Sequence, residues 1–298
     1  MGRGSIVDAM TEISAAASGE FLIGGDLRVN RLGYGTMRLV GEGAWGEPED
    51  AAAAKQVLRR AVELGINLID TADAYGPEIA ERLICEALYP YPAGLVIATK
   101  GGITRQGPAK TEYVGRAGYL IQCVEMSLRR LKLERIELYQ LHRIDPRTPL
   151  EESLGALKRM QEQGKIRHIG LSEVTVEQIE EAEKIVPIVT VQNRYSLTDR
   201  RHEETLKWCE GRGIGFMPWY PMAGGKLMKT GQSELEGAAG VAARLGERHG
   251  LSLAQVALVW LLHRSPVMLP IPGTSSAAHL EENLKAGVVR ITDREWIY

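Results

Sequence analysis

The chain has 298 residues, 44% hydrophobic and 25% charged, with a formal net charge of −2, which suits one large or two modest folded domains and excludes a disordered chain. Acids and bases are interspersed, so no field of one sign exists to hold nucleic acid or an anionic membrane, and a small-molecule partner is expected. Asp8 and Glu12 interrupt any secretory run, and no segment offers the roughly 18 consecutive apolar residues of a membrane span, so a cytoplasmic location is expected.

Residues 1–18 lack periodicity and are rich in Gly, Ala and Ser, which predicts a poorly ordered lead-in, with 19–298 forming a single domain. Phe21–Ile23 and Leu27–Val29 flank Gly24-Gly25-Asp26, the pattern of a hairpin expected to plug or decorate one end of the fold. From Arg31 onward short apolar runs alternate with amphipathic segments. The runs are Leu32–Gly35, Asn67–Asp70, Val96–Lys100, Glu137–His142, His168–Ser172, Ile188–Gln192, Gly215–Trp219 and Val267–Pro270, eight strand candidates. Helices between them have readable ends. Glu49 and Asp50 sit in a first turn, Val57, Leu58, Ala61 and Leu64 share a face, and Gly65 follows as a C-terminal cap. Thr175 and Gln178 form a capping box before Ile179 and Ala182, and Leu150, Leu154, Leu157 and Met160 mark a helix that stops at Gly164. Cys85, Cys123 and Cys209 fall far apart in helical segments without zinc-ligand spacing and read as reduced, packed thiols.

Strands separated by helices in this order require parallel pairing, and eight such units without a linker predict a closed (β/α)8 TIM barrel behind an N-terminal β-hairpin. A doubly wound sheet is the alternative, but no strand is followed by a GxGxxG turn. In a barrel, chemistry gathers where strands end. The polar residues there are Asp70, Lys100, His142, Ser172 and Gln192, with Tyr75 just past the second strand. Singly, each has an ordinary structural explanation. Together, four proton-active side chains emerge at one rim. A tyrosine, with an unperturbed pKa of about 10, needs help to act near neutrality. Lys100 beside it would favour phenolate and lower that pKa, Asp70 would hold the ammonium, and His142 would orient a carbonyl oxygen.

Asp70-Thr71-Ala72-Asp73-Ala74-Tyr75-Gly76, then Lys100, then Leu141-His142 resembles the catalytic tetrad of the aldo-keto reductase superfamily, and the likeness continues in order from about residue 20 to 287. The resemblance implies NADPH-dependent reduction of an aldehyde or ketone, with Tyr75 as general acid and base. It implies a nicotinamide cofactor held without a Rossmann fold: Ser172 and Gln192 on the carboxamide, Trp219 stacked on the ring, and Tyr220, Pro221, Met222, Gly224 and Lys226 along the pyrophosphate. Gly273, Thr274 and Ser275 open a helix whose N-terminus suits the 2′-phosphate, with His279 nearby and Glu282 and Asn283 at the adenine. Gly273 stands where many members have lysine, His279 where many have arginine, and Glu173 where asparagine is common; the first two weaken the preference for NADPH and leave NADH as the second choice.

Tyr34, Met37, Trp45, Ile103 and Arg143 are expected to border the substrate pocket, and no metal is expected. Glu86-Ala-Leu-Tyr-Pro90 and Ile271-Pro-Gly-Thr-Ser-Ser276 are similar to a bacterial branch that includes pyridoxal reductases. The competing functions are a cofactor-binding regulatory subunit with little turnover and a barrel lyase or hydrolase using Asp70 and His142. No subunit interface is legible.

Overall fold

A computed structural model describes residues 13–222 and 237–296. The first hairpin pairs β1 (Glu20–Ile23) with β2 (Leu27–Asn30) in antiparallel register, Ile23 opposite Leu27. The parallel strands are β3 (Tyr34–Gly35), β4 (Leu68–Asp70), β5 (Val96–Gly101), β8 (Ile136–Leu141), β9 (Ile166–Ser172), β10 (Ile188–Gln192) and β11 (Gly215–Phe216). Their order across the sheet is β11-β10-β9-β8-β5-β4-β3, each beside its nearest neighbour in sequence apart from an inserted hairpin.

The eighth run, Val267–Pro270, does not form a regular strand. Proline at 266 and 270 supplies no amide N–H, which shortens any ladder there. The segment nevertheless closes the barrel. Met268 bridges Phe216, Leu269 N–H donates to Phe216 O at 2.8 Å, and Gly33 N–H donates to Pro270 O at 3.0 Å. The run expected to reach Trp219 ends at Phe216, ahead of Pro218.

Helices α1 (Ala51–Glu63), α2 (Ile79–Leu88), α3 (Ala117–Leu131), α4 (Leu150–Glu162), α5 (Val176–Glu183), α6 (Glu203–Arg212), α7 (Gly237–His249), α8 (Leu253–Arg264) and α9 (Ala277–Lys285) pack outside the strands. Asp50 caps α1 by accepting from the N–H groups of Ala52 and Ala53, and Gly65, just beyond the end, takes φ 80°, where any other residue would be strained. The capping box of Thr175 and Gln178 opens α5. Val57, Leu58, Ala61, Leu154, Leu157 and Met160 are buried against the sheet, each larger side chain contributing about 1.5–3 kcal/mol. The three cysteines lie buried and unpaired on α2, α3 and α6. No described helix is long and apolar enough to cross a membrane.

A smaller core fills one mouth of the barrel: Ile23, Leu27 and Val29 of the hairpin pack with Leu68, Val96, Leu138 and Leu269. Leu68 and Val96 begin their strands, so the plug closes the N-terminal end and leaves the C-terminal rim for chemistry. A second hairpin, β6 (Ile103–Gly107) with β7 (Lys110–Tyr113), is inserted after β5. The last residues of the lead-in differ from expectation. Ala15–Ser18 form a 3-10 turn capped by Ser14, Ala15 N–H donates to Leu64 O, and Ser18 Oγ accepts from Leu32 N–H. These long-range bonds give order to a stretch whose own pattern carries none.

Candidate active site

Asp70, Ser172 and Gln192 are the last residues of β4, β9 and β10, Lys100 is the penultimate residue of β5, and His142 directly follows β8. One rim therefore collects all five. Tyr75 arrives by a turn in which its N–H donates to Ala72 O and Glu78 N–H to Asp73 O; Gly76 completes it at φ 106°.

Lys100 is fully buried, and its ammonium has three donors with three acceptors: Asp70 Oδ2 at 2.6 Å, Thr71 O at 2.8 Å and Tyr75 Oη at 3.3 Å. The other Asp70 oxygen accepts from Gln192 Nε2 at 2.8 Å and Gln140 Nε2 at 3.2 Å. Burial works to lower the Lys100 pKa, but the Asp70 carboxylate and the phenol overcome it, and the net shift is upward. For Tyr75 burial raises the pKa and outweighs the opposing Lys100 ammonium. The expected lowering is thus reversed. Lys100 stays charged and Tyr75 stays a neutral phenol, a proton donor held against a cation.

The His142 ring meets the Tyr75 ring edge-on, with centroids 5.9 Å apart. Burial, then Lys100, Arg143 and Arg105, drives its pKa well down, so the imidazole is neutral. Its Nδ1 is buried without a partner among the described residues. A neutral imidazole beside a phenol provides two donors for one oxygen.

Arg143, expected as a pocket-bordering residue, is half-buried and donates from Nη1 to Ser172 Oγ at 2.8 Å and to the His142 carbonyl at 2.6 Å. Trp219 is also half-buried; its Nε1–H donates to Glu173 Oε1 at 2.7 Å, and the same oxygen accepts from Arg194 N–H at 2.6 Å. Glu173, at φ 56°, thereby fixes the indole. Tyr220 leans edge-on against Trp219 at 5.9 Å, Pro221 is buried and Met222 half-buried. Gly224 and Lys226 lie outside the described residues.

The remaining expected residues divide. Ser275 and His279 are exposed at the start of α9, Thr274 and Asn283 are buried, and Glu282 is half-buried. Ser276 caps α9 by accepting from His279 N–H, and Thr274 Oγ1 accepts from Ser276 N–H at 3.1 Å. A Cβ on Gly273 would lie 2.7 Å from Gly35 O, so the two backbones touch and the position cannot carry lysine without moving one of them. Met37 and Trp45 are exposed, and the Trp45 loop is joined to the Tyr75 turn by Gly46 N–H to Gly76 O and Gly76 N–H to Ala44 O. Ile103 is buried. Tyr34 is a correction: it is fully buried in the layer between strands and helices, its hydroxyl donating to Thr274 O, and it is no pocket wall.

Sequence reasoning missed Gln140 and Arg105. Gln140 interrupts the apolar run of β8 two residues before His142, and that parity places it on the same inward side. Arg105 had no such signal, because it lies on the inserted hairpin, where it donates to Ala74 O and Gly43 O and ties the Tyr75 turn to the Trp45 loop.

Asp73, inside the Tyr75 turn, is buried with Oδ1 unpartnered, and burial, then the Glu81 carboxylate, raises its pKa from 3.8 to about 7. A raised carboxyl pKa means the folded state holds its proton longer than the unfolded chain, so stability falls between pH 4 and 7, by about 4 kcal/mol in all. Asp73→Asn is expected to flatten that slope, with the variant gaining on the wild type at pH 8 but not at pH 4. Urea unfolding at both pH values measures it, and an unchanged slope would assign the effect elsewhere.

Among the described residues no group of His, Cys, Asp and Glu could hold a metal ion. The model of the aldo/keto reductase family matches residues 31–298. An uncharacterized oxidoreductase of Schizosaccharomyces pombe is 48% identical over 284 residues, covering 95% of this chain and 90% of that protein. The pyridoxine 4-dehydrogenase of Escherichia coli is 42% identical over 275 residues, covering 90% and 93%. A crystal structure of an aldo/keto reductase from Klebsiella pneumoniae in complex with NADP and acetate superposes with a TM-score of 0.75 at 27% identity, covering 93% of this chain and 92% of that one.

Proposed function

The chain belongs to the aldo/keto reductase family, and from that premise we propose that it reduces an aldehyde or ketone to an alcohol with NADPH, Tyr75 acting as the general acid. The observation that carries this reading is the buried set of Tyr75, Lys100, Asp70 and His142: a neutral phenol in contact with a fixed ammonium, and a neutral imidazole beside it.

The cofactor fits the residues present. The half-buried indole of Trp219 is a flat surface locked by Glu173, Ser172 keeps a hydroxyl at the same rim, and the start of α9 exposes Ser275 and His279 next to amide groups that no helical carbonyl uses. NADPH, when bound, supplies the hydride. The chain's own residues do the rest. Tyr75 Oη and the His142 ring hold the carbonyl oxygen, and their donors stabilise its growing negative charge. Tyr75 then gives its proton to that oxygen, and the resulting phenolate is stabilised by Lys100, whose charge Asp70 holds in place. Gln140 and Gln192 keep Asp70 from turning away. Pyridoxal is a reasonable first substrate, since the Escherichia coli relative is named for pyridoxine oxidation. Location in the cytoplasm is part of the same proposal.

Titration with NADPH and NADH, followed by tryptophan fluorescence, tests the reading before any substrate is chosen. Tighter binding of NADPH is expected, followed by oxidation of NADPH in the presence of pyridoxal or simpler aldehydes. Binding of neither cofactor would overturn it. His279→Arg adds a fixed cation at the start of α9 and is expected to tighten NADPH about three- to tenfold more than NADH. Equal gains would place the phosphate elsewhere.

A further inference from the structure

Among the described residues, the site carries more positive charge than its carboxylates balance. Lys100 is matched by Asp70. Two guanidinium groups are not. Arg143 follows His142 directly, is half-buried, and lies 6.0 Å from the centre of the Trp219 ring; its hydrogen bonds go to a hydroxyl and a carbonyl, all from Nη1. Arg105 is half-buried too, and donates to two backbone carbonyls. Neither forms an ion pair among the described residues. Three other arginines do have carboxylate partners: Arg130 pairs with Glu78 and Glu81, Arg147 with Glu112 and Asp145, and Arg194 with Asp199, whereas Arg38, after β3, is exposed to water. Glu173, beside Ser172, accepts from the Trp219 indole and the Arg194 amide, and its one carboxylate still leaves the two guanidinium groups in excess.

A cation removed from water without a counter-charge is costly, and carbonyl dipoles offset that only in part. Burial accordingly pushes the Arg105 pKa down. Arg143 donates to the carbonyl of His142 and Arg105 to that of Ala74, the residue before Tyr75, which places both charges at the reacting end of the site.

Resting on the reductase reading, we infer that the substrate supplies the missing anion: a carboxylate or phosphate within a few bonds of the carbonyl, gripped by the unused Nε and Nη2 donors of Arg143, with Arg105 adding to the field. The planar fork of an arginine matches two oxyanion oxygens at once. Its place next to His142 ties the anion to the carbonyl end of the molecule, and the same positive field opposes the repulsion that an anion would exert on the developing alkoxide.

Two matched pairs of substrates test this: succinic semialdehyde against its methyl ester, and glyceraldehyde 3-phosphate against glyceraldehyde, at constant ionic strength with NADPH. The wild type is expected to prefer the anionic member of at least one pair by about 10- to 100-fold in kcat/KM, and the pair that shows it distinguishes carboxylate from phosphate. In Arg143→Met that ratio falls to near one, in Arg143→Lys it lies between, and in Arg105→Gln it drops about threefold. A wild-type ratio near one in both pairs, or a ratio that survives Arg143→Met, overturns the inference while leaving the reductase reading intact. Turnover of none of the four aldehydes counts against the reductase reading. Calorimetric titration with succinate and inorganic phosphate then decides this inference alone: binding weakened at least tenfold by Arg143→Met upholds it, and binding indifferent to that change sinks it.

Discussion

Tyr75→Phe is expected to lower kcat and kcat/KM for carbonyl reduction together, by about 10²- to 10⁴-fold, with cofactor affinity within about twofold of the wild type. The substitution removes one oxygen and keeps the ring, with the Lys100 ammonium 5.0 Å from its centre. The edge-on packing against His142 and the contacts with Val40, Ala44, Ala72 and Ala80 remain. Lys100 keeps two of its three acceptors, Asp70 and Thr71 O, so the fold should lose no more than about 1 kcal/mol. A large loss of turnover with an unchanged melting curve would therefore report the proton and not the scaffold. The Trp219 fluorescence response to NADPH should persist, because that indole is fixed by Glu173 and not by the phenol. Turnover within tenfold of the wild type would remove Tyr75 from the proton-donating role and shift attention to His142.

The parts of this site that could be read from the sequence share one property: they follow from strand period and strand end. Asp70, Lys100, His142, Ser172 and Gln192 each break or close an apolar run, and a parallel barrel brings such positions to one rim whatever the detailed packing. Tyr34 was misplaced because the two-residue strand is too short for its parity to be read; in the structure it faces the helices, and its neighbour Gly35 makes the close approach to Gly273. The pKa of Tyr75 was misjudged in sign because a charge partner can be named from sequence but the depth of burial cannot, and here burial is the larger influence. Arg105 was out of reach for a different reason. Its role comes from a hairpin inserted between β5 and α3, where residues far apart in sequence, Gly43 and Ala74, accept from one guanidinium. The closing segment Val267–Pro270 lies between these cases: its apolar run is visible, yet only backbone hydrogen bonds to Phe216 and from Gly33 give it the job of a strand.

Lys100→Met separates what the buried ion pair does for the fold from what it does for the reaction. With the ammonium gone, Asp70 keeps only the amide donors of Gln140 and Gln192, and a carboxylate with 2% of its surface exposed is left without a counter-charge. Breaking such a pair costs about 3–5 kcal/mol. In the wild type the Lys100 pKa is raised, so the pair's contribution is fully present at neutral pH and is lost only as pH rises above about 10.5, and the gap between Lys100→Met and the wild type is widest below that value. Adding Asp70→Asn to Lys100→Met should restore most of the stability, since no buried charge remains. It should not restore turnover, because the phenolate left after proton transfer would still have no cation beside it. Urea unfolding and kcat measured on the single and double variants make the comparison. Recovery of both quantities in the double variant would mean that Lys100 serves only to neutralise Asp70, and the proton chemistry assigned to the pair with Tyr75 would have to be given up.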